Sequence, residues 1–534
     1  MKSTVSLWNV SPHPRYPMLG GDLETDVVIV GAGITGLTAA LLLAESGRAV
    51  TLVEARTIGS GVTGRTTAHL TEAVDTRYHK LESSFGKEGA RLVAESSRAA
   101  IERIALNVSN HRMECGFARV PGYLYAENDD RKGIDVVEKE LAASRRAGLT
   151  VAEEHSVPLP FADRIARAIR YENQAQIDAG AYLDGLARAA TERGAHLFEH
   201  TRVLAVDEGE PCVLHLESGH EIRAREVFFA THAAPHKYFL QTKVSPYRSY
   251  VLAYEAPAER APGLFWDTRE PYHYVRHATV LGKDFVIVGG ADHRTGDGTE
   301  TERCYDELSK YVFERFGFAG AALRWSAQVY EPVDGLPFIG TRPSGERVHF
   351  ATGFSGNGMT FGTLAAMITT DAILGRASRW AALYSAGRIK PLASAQEFLK
   401  HNVETQVHWA RDWVLGHTEA ESVDEVARGE GKIVRVNGRR LAIYRDDEGT
   451  LRAVSPVCTH LGCLVQFNRA ERSWDCACHG SRFDTDGTVL HGPATRALAP
   501  RPIDEAAVPV PVRVDEDEER SAPGIVRDPS LSRS

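Results

Sequence analysis

Two short segments late in the chain carry the side chains best suited to holding a metal. Cys458-Thr459-His460-Leu461-Gly462-Cys463 and Cys476-Ala477-Cys478-His479-Gly480-Ser481 give the pattern C-x-H, fifteen residues, C-x-x-H. One thiolate and one imidazole from each of two facing loops are what a 2Fe–2S centre needs when one iron takes two sulfurs and the other two nitrogens. Cys458, His460, Cys476 and His479 are the expected ligands. A tetrahedral zinc site draws on the same donor types. It leaves Cys463 and Cys478 without a role, and it takes no account of Pro456, Gly480 and Gly492-Pro493 in the surrounding loops.

A second constellation lies near the start. Gly31-Ala32-Gly33-Ile34-Thr35-Gly36 follows the apolar run Thr25–Val30, opens a helical stretch at Leu37–Ser46, and leads to the strand-like Ala49–Glu54. Gly31 permits a tight turn, Gly33 admits a pyrophosphate to backbone N–H groups, and Gly36 lets the helix pack closely on the strand. The helix N-terminus adds positive dipole and free donors. Glu54, eighteen residues beyond Gly36, is placed to accept from ribose hydroxyls. A glycine-rich turn without a ligand is the bland alternative, and the order strand, glycines, helix, strand, acid argues against it.

The elements that must position these residues suggest several domains. A chain of 534 residues exceeds one ordinary core. Hydrophobic residues at 43% and charged residues at 25% describe a globular protein, and a net charge of −9 argues against nucleic acid as partner. No stretch approaches the ~20 apolar residues of a membrane span. The first residues lack an apolar run or a twin-Arg pair, so a cytoplasmic address is expected. Four of the seven cysteines fall within 21 residues, which in that compartment favours metal or redox chemistry over a disulfide framework. Mixed segments continue to about residue 375, with a helix expected at Ala181–Arg193 and strands at Val203–Val206, Val213–Leu216 and Val227–Ala230.

Over roughly residues 20–375 the chain resembles the D-amino-acid-oxidase/sarcosine-oxidase family of flavoproteins. The resemblance is carried by Val27–Glu54, Gly59–Ala68, Val227–Thr231, Asp334–Gly340 and Ala351–Thr360. It implies FAD, bound by Gly31, Ala32, Gly33, Ile34, Thr35, Gly36, Glu54, Ala55, Thr66, Thr67, Val203, Gly353, Gly356, Asn357, Gly358, Met359 and Thr360. In that family the last loop leads into a helix whose N-terminus faces the flavin pyrimidine edge, where donors and dipole stabilise negative charge. Tyr330–Gly362 contains no Cys for a covalent link, and Arg65 stands where the family's attachment His would be, with His69 close by. Non-covalent FAD is expected.

The segment Glu421–Val514 resembles Rieske domains, most closely the type in respiratory cytochrome bc complexes. That resemblance implies a Cys463–Cys478 disulfide clamping the loops and a Ser481 hydrogen bond to a cluster sulfur, with Phe483 in place of a tyrosine donor. One donor without the other suggests a potential below the top of the Rieske range. A bacterial family fusing these two modules is a further resemblance.

The expected fold is an α/β (α+β) flavoprotein with a Rossmann-type FAD-binding domain and an antiparallel substrate sheet, plus a small all-β Rieske domain. Residues 1–376 form the oxidoreductase, with FAD-binding parts at about 24–100, 170–240 and 330–376 and substrate parts at about 101–169 and 241–329. A helical linker (377–420), the Rieske domain (421–514) and a disordered tail (515–534) follow. With a single dinucleotide fingerprint, electrons are expected to enter from an amine or N-substituted amino acid and to leave singly through the cluster to an acceptor protein or quinone. Arg248, Tyr274 and Arg276, on strands of the expected substrate sheet, are the candidate substrate contacts, the arginines as clamps for a carboxylate. Two rivals remain. His401, Glu404, His408 and Asp412 form one helical stripe, an iron site for an oxygenase-like enzyme or simply a polar helix face. The other is a non-catalytic redox sensor.

Overall fold

The computed structural model describes residues 4–10, 13–234, 240–256, 262–298, 300–341, 345, 347–388, 420 and 422–503. Most of the expected linker, the histidine–carboxylate stripe within it and the C-terminal tail lie outside the described residues.

The apolar run at the start becomes the strand Leu23–Val30, whose last four residues are buried. Parallel strands buried on both faces read as continuous apolar runs, and this one pairs in parallel with Glu221–Phe229 on one side and Val50–Val53 on the other. It is central in an eight-stranded sheet that also takes in Val348–Thr352, Phe338–Thr341, His196–Phe198 and the hairpin Val203–Asp207/Cys212–Leu216. The helices Ile34–Glu45, Ala179–Glu192 and Gly358–Ile373 are buried along most of their length, so small residues dominate them.

A nine-stranded sheet stands beside it, in the order Leu323–Pro332, Val244–Glu255, Lys283–Arg294, Tyr274–Val280, Leu264–Asp267, Ala118–Glu127, Ile165–Gln176 and His69–Leu70, with Val151–Glu154 at the side. Its pairs are antiparallel except Leu264–Asp267 with Ala118–Glu127. The strand Ile165–Gln176 runs across the expected boundary at 169/170, and His69–Leu70 brings the N-terminal part into this second sheet.

Residues 422–503 form two small antiparallel sheets of three and four strands. Trp474, Phe483, Val489 and Leu498 fill the core of the second. Among the described residues no helix is long and apolar enough to cross a membrane.

Candidate active site and cluster site

The glycine fingerprint closes tightly. A Cβ on Gly36 would sit 1.9 Å from the Gly31 carbonyl oxygen, so helix and turn meet only because position 36 is glycine. Glu54 ends its strand with one carboxylate oxygen accepting from Ala32 N and the other from Arg56 N, both at 2.9 Å. Above this turn opens a cavity of about 890 Å³. Gly31, Ala32, Gly33, Ile34, Thr35, Glu54 and Ala55 line one part, and Thr66, Thr67, Val203, Gly356, Asn357, Gly358 and Met359 line others. Gly36, Gly353 and Thr360 stand behind the lining; Thr360 Oγ1 donates to the Thr71 carbonyl at 3.2 Å. The Asn357 side chain, at the helix start, accepts from Asp75 N at 2.8 Å and so ties the Gly-rich loop to the chain after His69–Leu70. Size, helix N-terminus and glycine cradle suit a dinucleotide.

The substrate sheet supplies the opposite wall. Tyr274 lines it, and its hydroxyl shares a 2.7 Å hydrogen bond with Ser249. Arg248 and Arg276, by contrast, are absent from the lining. The Arg248 guanidinium is buried on Ser326 and lies 3.6 Å from Glu471. Arg276 donates to the carbonyls of Thr67, Ala68 and Ile177 at 2.8–3.1 Å, bracing the loop around His69. The expected carboxylate clamp is therefore not assembled: both guanidiniums are turned to partners outside the cavity lining. His69 faces the cavity edge-on to Tyr274, and burial, aided by Arg276, pushes its imidazole down to about 3, so it is neutral.

The two cysteine–histidine loops have the same internal geometry. Cys458 N donates to the Cys463 carbonyl and Gly462 N to that of Cys458; likewise Cys476 N donates to Ser481 and Gly480 N to Cys476, all at 2.8–3.0 Å. Gly462 and Gly480 both take φ +77°, the left-handed turn that closes each loop. The Cys458 thiol lies within hydrogen-bonding reach of the Cys476 sulfur and of the Ser481 hydroxyl. The rings of His460 and His479 stand 4.8 Å apart, and His479 Nδ1 is buried without a hydrogen-bond partner. Two thiols and two imidazoles facing one another, with one imidazole nitrogen left open, fit the mixed-ligand iron–sulfur centre. Cys463 and Cys478 form a disulfide whose sulfurs lie within 4.8 Å of Cys476 Sγ.

Residues 26–372 match the family model for FAD dependent oxidoreductase (DAO). The chain belongs to this FAD dependent oxidoreductase family. Residues 417–504 match the Rieske [2Fe-2S] domain. The oxidoreductase is 31% identical over 497 residues to a Bacillus subtilis (strain 168) protein described as a Rieske 2Fe-2S iron-sulfur protein, YhfW, over 92% of this chain and 96% of that one. It is 24% identical to the gamma-glutamylputrescine oxidoreductase of Escherichia coli (strain K12), over 70% of this chain and 89% of that one. Glycine oxidase from Geobacillus kaustophilus has the same fold over 69% of this chain and 99% of its own, with a TM-score of 0.58 at 20% identity. The chain is thus an FAD and Rieske 2Fe–2S oxidoreductase.

In this oxidoreductase the two modules share a wall. Val489–Thr495 of the Rieske domain line the same cavity as the fingerprint. His491 Nε2 lies 3.2 Å from His232 Nδ1, and burial pushes His232 down to about 4. Tyr330 donates to the carbonyls of His479 and Gly492 at 3.0 and 3.3 Å, and Gln328 to that of Gly480 at 2.8 Å. A Cβ on Gly480 would meet Gln328 Nε2 at 2.3 Å, so this glycine also sets how closely the ligand loop approaches the substrate sheet. Buried Glu471 lies 3.2, 3.6 and 3.9 Å from Arg65, Arg248 and Arg482. Sequence reasoning missed Asp75, Asp292, His232, Tyr330, Glu471 and His491. An acid ending the apolar run Phe285–Ala291 was a visible signal for Asp292; the others lie in no motif.

Proposed function

We propose that the chain is a dehydrogenase oxidising a C–N bond of an amine or N-substituted amino acid, passing electrons singly through its Rieske cluster to an external acceptor. The observation that carries this reading is the shared cavity: the fingerprint, the substrate sheet and Val489–Thr495 line one space. Bound FAD supplies hydride acceptance, and the cluster supplies one-electron transfer. The chain's own residues set the stage. Tyr274, Tyr272 and Trp266 line the substrate side, and Tyr330 and Gln328 fix the backbone of the His479 loop against it. The name of the Escherichia coli relative supports an amine among the substrate classes.

Anaerobic addition of amines and N-methylated amino acids tests this. A substrate bleaches the flavin and brings up the electron-resonance signal of the reduced cluster, with two irons per chain. Acid precipitation leaves a colourless pellet and yellow supernatant, since the reading takes FAD as non-covalent. Bleaching with no cluster signal sinks the electron route; yellow protein in the pellet points to His69 as an attachment site.

A further inference from the structure

The strand Lys283–Arg294 alternates strictly until its end. Val286 and Val288 pack into the outer cluster with Leu308 and Val312, while Ile287 packs into the cluster on the other side. By that alternation Asp292 belongs with Val286 and Val288, away from the cavity. A β-bulge prevents this. Arg248 pairs with His293 and Tyr250 with Gly290, so Ala291 and Asp292 together oppose Ser249 alone. Ala291 adopts φ +55° and joins the outer cluster, and Asp292 turns to line the cavity. Bulges that re-aim a side chain recur beside active sites.

The turned carboxyl is short of partners. Asp292 Oδ1 is buried without a hydrogen-bond partner. A second carboxyl, Asp75, lines the same cavity and accepts from Gly356 N; a Cβ on Gly356 would lie 2.7 Å from Asp75 Oδ2 and 2.9 Å from the Tyr272 hydroxyl. The groups that bear on Asp292 include Ser249, Asp75, His293 and His273, with Tyr272, Tyr274 and Cys304 also in its field, and Arg77 acts on Asp75. A buried, unmatched carboxylate is costly unless a cation meets it. An α-amino acid would bring a third carboxylate beside Asp75 and Asp292, while Arg248 and Arg276 are engaged elsewhere and Arg77, which lines the cavity, already acts on Asp75.

We propose that Asp292 receives the positively charged nitrogen of the substrate, so that the substrate class is a cationic amine, such as a diamine, rather than an α-amino acid. The inference rests on the dehydrogenase reading and narrows it. The ammonium proton would pass to the Asp292 carboxylate, leaving a neutral amine whose lone pair would support loss of the α-hydride to bound FAD; water would then hydrolyse the iminium of a primary amine to a carbonyl compound and ammonium. Burial, then the charge of Asp75, pushes Asp292 up to about 7 against Ser249, His293 and His273. Amine binding therefore strengthens as pH rises through about 7.

The test uses the full flavin-loaded protein and two probes of similar shape that cannot lose an α-hydride. tert-Butylammonium raises the melting temperature at pH 8 and pivalate does not. Asp292→Asn abolishes that protection and its dependence on pH, and raises the putrescine concentration for half-maximal flavin reduction roughly 10- to 100-fold. Asp292→Glu keeps both in part. Protection by pivalate alone, or an Asp292→Asn variant that binds tert-butylammonium normally, overturns the proposal. If sarcosine bleaches the flavin and putrescine does not, the substrate class is wrong while the dehydrogenase reading survives. If no amine or amino acid bleaches it, the dehydrogenase reading fails, and the two probes still decide whether Asp292 binds a cation.

Discussion

The cluster site and the flavin cavity are built on opposite plans. All four proposed cluster ligands fall between Cys458 and His479, on two loops that close with identical backbone bonds and are bridged by a disulfide. The cavity gathers residues from Val30 to Thr495, taking part of its wall from the Rieske domain. One site is self-contained and the other is a product of docking. Damage to the cluster should therefore stay local, whereas damage to the docking contacts should reach both sites.

Removing a cluster ligand gives the largest effect. Cys458→Ser abolishes the Rieske electron-resonance signal but leaves substrate-driven flavin bleaching, because the Trp474–Phe483–Val489 core still presents Val489–Thr495 to the cavity. Loss of both activities would mean that the cluster, not the apolar core, holds that wall.

Glu471 tests the docking side. Its burial opposes ionisation, but Arg65, Arg248 and Arg482 win and hold its carboxyl below the usual range. Removing one partner from a buried charge group costs about 3–5 kcal/mol, so Glu471→Gln should lower the free energy of unfolding by that order and loosen the two modules together. A depressed carboxyl contributes stability that is complete above its unfolded value, about 4.3, and lost as pH falls through its lower folded value. Stability of the parent protein should fall in that acid range, and the variant should lack this component. A parallel pair of stability–pH curves would break the argument.

Tyr330→Phe is the mildest probe. It removes a donor to the His479 and Gly492 carbonyls while Gln328 still holds Gly480. A net loss of about 1 kcal/mol is expected, with stopped-flow traces showing slower cluster reduction and unchanged flavin bleaching. An equal slowing of both would place Tyr330 in substrate binding instead.

The same contrast explains what the sequence made legible. Gly31–Gly36 with Glu54, and the paired Cys–His loops, are local patterns whose geometry follows from spacing; the structure puts the loops face to face and the cavity over the fingerprint. The Cys463–Cys478 bridge, implied by resemblance, is present. Arg248 and Arg276 looked available because their partners are remote: Glu471 lies far along the chain, and Thr67, Ala68 and Ile177 offer backbone carbonyls, which no side-chain pattern displays. The side to which Asp292 faces was hidden differently. Counting by twos along its strand sends it to the wrong face, and a single extra residue reverses the count.

Tyr330, Gln328 and the absent side chain of Gly480 together pin the loop that carries His479 against the substrate sheet. A carrier held this way makes no journey between donor and acceptor. On the proposed electron route the internal hand-over would then be first order, insensitive to protein concentration and to solvent viscosity, and only the last electron hop, out of the molecule, would have to wait for an encounter.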